Sequence, residues 1–157
     1  MTITKKNREL IDDSHNVVRY LKPKFLIRDD FDINIIGIHS QAFELRPNEE
    51  FLSLNWLEYF ELPNKKDALN LIINDLKASN LPVGSKGALA IANISKIKSI
   101  GKDRKTKIRV EYRPNNLNKS HSGVFNIQNE DLEMLDLLSR EAFSEIVPID
   151  KLASNPT

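Results

Sequence analysis

Cysteine is absent from the 157 residues, which excludes a disulfide framework, a thiol nucleophile and a thiolate metal site. Glycine is scarce, with 5 positions, too few for a fibrous or linker-like polymer. No apolar run approaches the roughly 20 residues that cross a bilayer. Met1 to Arg8 carries basic residues with no apolar stretch after them, so neither a membrane contact nor a secretory leader is expected. A cytoplasmic setting is the corresponding expectation. Net charge is also nearly missing, at +1, but unevenly spread. Lys86 to Lys119 holds ten basic residues against two acidic ones, and Ser120 to Thr157 holds seven acidic against two basic. Such asymmetry steers a partner, or lets the two regions neutralise each other.

What is present suits one domain spanning 1–157, long enough to bury a core without staples, with flexible ends expected near 1–12 and 153–157. Val17 to Leu21 reads as a strand limited by Pro23. Lys24 to Arg28 reads as a turn or a second strand, Asp29-Asp30 as a turn, and Ile33 to Ile38 as a strand or a packed loop. Ala42 to Arg46 alternates as a half-buried strand, and Ser53 is placed to cap a short helix that packs Trp56, Leu57 and Phe60. Asn64 opens a stronger helix with Leu69, Ile72, Ile73 and Leu76 on one face. Ala88 to Ile94 reads as a buried strand. Ser95 to Ile100 and Thr106 to Tyr112 alternate around Gly101 to Lys105, which predicts a hairpin with one oily and one basic face. Gly123 to Ile127 adds a strand, and Asn129 caps an acidic-started closing helix. Early strands, then helices, predict an α+β fold: an antiparallel or mixed sheet with about three helices packed on it.

Candidate chemistry starts from the three histidines, His15, His39 and His121, because imidazole exchanges protons near neutrality. His15 and His121 are the catalytic candidates, the latter in the loop Asn118-Lys-Ser-His-Ser-Gly123. There Ser120 and Ser122 offer hydrogen bonds to a ligand. Arg19 and Arg46 offer planar forks for phosphate or carboxylate. Gly84-Ser85-Lys86-Gly87 lacks the full pattern of a phosphate-binding P-loop. No short-range spacing of ligands supports a metal, and no cofactor is implied. Trp56, Tyr59 and Phe60 are candidate interface anchors. Lys96, Lys98, Lys105, Lys107 and Arg109 would form a basic ribbon for nucleic-acid phosphates.

His15-Asn-Val-Val-Arg-Tyr20, Ala42-Phe-Glu-Leu-Arg46, Leu52-Ser-Leu-Asn-Trp-Leu-Glu58 and Ser120-His-Ser-Gly123 together resemble an uncharacterised family of small bacterial cytoplasmic proteins. The resemblance implies a bacterial setting and an accessory component of a larger system, and it brings no catalytic assignment. The leading expectation is a non-enzymatic interaction or accessory module with a protein partner. The alternatives are an enzyme or sensor for a phosphate-bearing anionic ligand, and a non-specific nucleic-acid binder.

Overall fold

A computed structural model describes residues 6–152, so residues 1–5 and 153–157 of the expected loose ends lie outside the described residues. Among the described residues, eight strands and four α-helices follow one another. They are β1 (Asn16–Leu21), β2 (Leu26–Arg28), β3 (Ile35–Ile38), β4 (Phe51–Trp56), α1 (Lys65–Ala78), β5 (Ala88–Asn93), α2 (Ile94–Asp103), β6 (Arg109–Tyr112), β7 (His121–Phe125), α3 (Leu132–Leu137), β8 (Glu145–Pro148) and α4 (Ile149–Leu152). Six strands form one antiparallel sheet in the order β6-β7-β4-β1-β5-β8, and β2 and β3 pair separately. The α+β class expected from the sequence is what the chain adopts.

Both faces of the sheet are covered. On one, Val17, Leu21, Leu52, Leu54, Ala90 and Val110 meet Ile94, Ile97 and Ile100 of α2, and Met134, Leu135, Leu138 and Phe143 at the closing helix. On the other, Val18, Leu89 and Ile91 meet Leu69, Ile72, Ile73 and Leu76 of α1, with Ile149 and Leu152 of α4. Alternation along β1 and β5 feeds both cores, since neighbouring strand residues point to opposite faces. α1 starts where the sequence places it, with the Asn64 side chain accepting from the Lys66 amide.

The predicted basic hairpin is overturned in its first arm. Residues 95–100 lie in helix α2, and only Arg109 to Tyr112 is a strand. Ile94, Ile97, Ile100 and Gly101 are buried at helical spacing. Giving Ile94 to the preceding strand hid that period, and the Asn93 side chain, which accepts from the Ser95 amide, is the cap that marks the true start. Ala42 to Arg46 is likewise not a strand: Ser40–Phe43 forms a 3-10 turn. Ser53 caps nothing; it lies within β4, and the short aromatic segment after it is a 3-10 turn, Leu57–Phe60. The cap of α3 is Asp131, whose side chain accepts from the Met134 amide, rather than Asn129. Residues 8–12 are not frayed. Arg8 and Ile11 donate to the Tyr112 and Val110 carbonyls, the Tyr112 amide donates to Glu9, and Ile11 is buried. This segment covers the outer edge of β6, a place where unpaired backbone would otherwise invite another strand.

Candidate functional site

β1 and β4 pair at Val17 with Trp56 and at Val18 with Asn55, and the recorded pairing ends there. Arg19 fills the opening. Its Nε donates to the Ala42 carbonyl at 2.8 Å and its Nη1 to the Ser53 carbonyl at 2.8 Å, so the guanidinium ties the 3-10 turn and β4 to β1. Burial pushes the Arg19 pKa down to about 10, with Glu49 opposing the shift and Arg46 adding to it. It therefore stays cationic at neutral pH.

A cavity of about 720 Å³ opens over this gap. Val18, Arg19 and Tyr20 of β1 and Ser53 and Asn55 of β4 line it, with His121 of β7. Leu76, Ser79 and Leu81 line it too, with Asn115 and Asn118, and so do Gln41, Ala42 and the run Glu44 to Pro47. Arg19, Lys22, Lys24 and Arg46 face Glu44 and Glu49 across the lining, an excess of two positive charges. Arg46 is exposed at the rim, with Glu49 Oε1 accepting from its backbone amide at 2.6 Å. The Asn129 side chain holds that loop from below by donating to the Leu45 carbonyl and accepting from the Leu45 amide, both at 2.8 Å.

His121 Nδ1 lies 2.7 Å from the Arg113 carbonyl. A carbonyl only accepts, so Nδ1 carries the proton and the neutral ring presents Nε2 as an acceptor. Burial lowers the His121 pKa, partly offset by that hydrogen bond, and so favours the neutral form. Beside it, Asn55 Nδ2 donates to Asn118 Oδ1 at 2.6 Å and to Ser120 Oγ at 2.8 Å.

Of the residues singled out from the sequence, Arg19, Arg46 and His121 thus share one cavity. Ser120 supports it from behind, fully buried. Ser122 does not belong to it. It sits opposite Leu54 in the sheet register, on the other face, with its hydroxyl buried and unpaired among the described residues. His15 is elsewhere too, lining a separate cavity of about 410 Å³ with Glu9, Asp12, Trp56, Glu58 and Glu61. There its Nδ1 accepts from Trp56 Nε1 at 3.0 Å. Trp56 is a core residue at 7% exposure, edge-on to Tyr59 and Tyr112, not an exposed anchor. Tyr59 and Phe60 are half-buried against one another.

The five basic ribbon residues do not share a surface strip built from two strands. Lys96 and Lys98 sit on α2 and pair with Glu141 and Asp13, while Arg109 on β6 pairs with Glu111. Lys105 and Lys107 lie in the connection between α2 and β6. Sequence reasoning missed Lys22, Lys24 and Asn55 as cavity residues. A helix opened at Ser53 would contain Asn55, whereas the alternation of Leu52, Leu54 and Trp56 against Ser53 and Asn55 is the signal for a strand.

The fold and this site define a class: an α+β domain whose antiparallel sheet parts between two inner strands to form a cationic cavity. Neither family models, nor curated proteins, nor solved structures yield a match to this chain. Among the described residues no helix is long and apolar enough to cross a membrane, and no cluster of three or more His, Asp or Glu has metal-binding geometry.

Proposed function

We propose that the protein binds a phosphate-bearing small anion in the cavity between β1 and β4, as a sensor or an enzyme for that ligand. The observation that carries this reading is the convergence of Arg19 and Arg46, from distant parts of the chain, with Lys22 and Lys24 in the lining of one cavity. Cavities of roughly 300–1,000 Å³ with few convergent polar groups are the usual form of small-molecule sites. Arg46 is the group to remove, because its side chain is 68% exposed and its ion pair to Glu49, at 3.9 Å, is a loose one at the surface. A charge-assisted hydrogen bond is worth about 1.5–3 kcal/mol. Arg46→Ala should therefore weaken binding of inorganic phosphate or pyrophosphate about 10- to 100-fold in calorimetry, with the thermal midpoint of the free protein unchanged. Absence of any phosphate or pyrophosphate binding at millimolar concentrations would discard the reading.

A second reading, association between copies of this chain, is favoured by the β2–β3 hairpin. Phe31 at its tip is 98% exposed, with Ile33 at 70% and Ile36 at 64% beside it. The turn is held by Asp29 accepting from the Phe31 amide and Asp32 from the Asn34 amide. Ile33 takes a left-handed backbone (φ 57°) that a β-branched residue rarely adopts. An aromatic tip collared by Asp29, Asp30 and Asp32 is complementary to a cationic cavity that also contains Phe25, Leu45 and Leu81, so a second copy is the fitting occupant. Sedimentation velocity should show a mass that rises with protein concentration in the native chain and stays monomeric in Phe31→Ser. A native chain that is monomeric throughout rules this association out.

A further inference from the structure

The cavity is chemically two-ended. Its cations Lys24 and Arg46 are exposed and Lys22 half-exposed, with Glu44 and Glu49 also in the lining, whereas Asn55, Asn118 and His121 form a more buried, neutral polar cluster. Asn55 is level with Val18 in the sheet, and Lys22 is four residues further along the same chain segment, which sets the two ends about 13 Å apart at the backbone. Within the neutral cluster some hydrogen-bonding capacity is spent and some is left. Asn55 Nδ2 and Asn118 Oδ1 satisfy each other. Asn55 Oδ1, Asn118 Nδ2 and His121 Nε2 have no hydrogen-bond partner among the described residues. Asn55 and Asn118 are each only 4% exposed, yet those leftover atoms are not among the sealed, unpaired polar atoms, which are Asp75 Oδ2 and Ser122 Oγ. Those leftover atoms therefore keep some accessible surface, and both asparagines line the cavity. A nearly buried polar atom without a partner costs free energy that a ligand can recover. Reversing both asparagine amides leaves the same complement, one carbonyl oxygen and one amide nitrogen.

The cluster thus presents two acceptors and one amide donor. Resting on the anion-binding reading above, we infer that the neutral end recognises a planar head group carrying two donors and an acceptor, and that the ligand is a guanine nucleotide. Among the common nucleobases the Watson–Crick edge of guanine carries that set: N1–H and the N2 amine to donate, O6 to accept. The nucleotide phosphate then lies toward Lys22, Lys24 and Arg46, and its sugar spans the floor over Ser53.

The test compares guanosine 5′-monophosphate, adenosine 5′-monophosphate, ribose 5-phosphate and guanosine by calorimetry on the intact chain. The guanine nucleotide should bind at least tenfold more tightly than ribose 5-phosphate and than the adenine nucleotide. Asn118→Ala and His121→Phe, each checked for an intact fold by its thermal midpoint, should bring the guanine nucleotide down to the affinity of the adenine nucleotide. If all three phosphates bind with equal affinity, the head-group assignment is overturned and the anion site stands. If guanosine binds as tightly as its monophosphate, the head group stands and the anion site fails. Should Asn118→Ala prove unfolded, equal loss for both guanine and adenine nucleotides in His121→Phe overturns the assignment on its own.

Discussion

Truncating Phe143 to alanine is expected to cost about 3–5 kcal/mol, the usual range for emptying a buried aromatic site. Phe143 is 1% exposed and Phe43 is fully buried, and their rings meet with centroids 4.7 Å apart. The pair joins the π-helical turn Leu138–Ala142, which ends at Phe143, to the 3-10 turn Ser40–Phe43. That second turn also carries the Ala42 carbonyl that accepts from Arg19. The cavity left by Phe143→Ala therefore undermines the backbone that positions the guanidinium, as well as the core. A domain of this kind has about 5–15 kcal/mol in total, so the loss is a large fraction of it. Urea unfolding should show a lower midpoint at unchanged m-value, with Phe143→Leu falling between the two. A loss below about 1 kcal/mol would mean that the closing helix collapses freely onto the sheet and that the aromatic pair does not fix the 40–43 turn.

The parts of this architecture that announce themselves in the sequence are those with one uninterrupted period. α1 has apolar residues at helical spacing behind an Asn cap, and β5 is a short apolar run buried on both faces. α2 failed because Lys-Ile-Lys alternates locally, and three residues of alternation cannot be told from part of a helical period once Ile94 is assigned elsewhere. The strand that alternation predicts over Ala42 to Arg46 is absent for a tertiary reason. Ala42 and Phe43 are both buried, which alternation forbids, and the turn exists because Arg19 and Phe143 hold it from outside. The same logic governs the site. Residue chemistry alone singles out Arg19, Arg46 and His121. Their meeting depends on β1 and β4 parting after Val18, and no local pattern encodes a strand divergence. His15 and Ser122 show the limit. His15 satisfies Trp56, and Ser122 points into the opposite core because adjacent strand positions face opposite ways.

Arg19 supplies the second large effect, since a buried guanidinium can either hold the fold or serve only the ligand. Arg19→Met keeps the bulk and removes the donors, leaving the Ala42 and Ser53 carbonyls without the bonds that Nε and Nη1 now make. Each lost bond from a charged donor costs about 1.5–3 kcal/mol. Against this, the variant is relieved of burying a cation, a relief that has made some buried charges replaceable by apolar residues. With two carbonyl acceptors stranded, the bonds should prevail and stability should fall by about 2–4 kcal/mol. Arg19→Lys should recover only part of the loss, because an ammonium has no planar fork to reach two diverging carbonyls. The pH dependence is a further check. The folded value of about 10 lies below that of a freely solvated guanidinium, so the unfolded chain holds the extra proton only in the window between the two. Stability from this group is constant below that window and rises with pH inside it. The difference between native and Arg19→Met should accordingly be flat from about pH 5 to pH 8. A stability loss under about 1 kcal/mol, joined to complete loss of phosphate binding, would reverse the assignment. Arg19 would then be kept for the anion, and the two strands would be held apart by the packing around Phe43 alone.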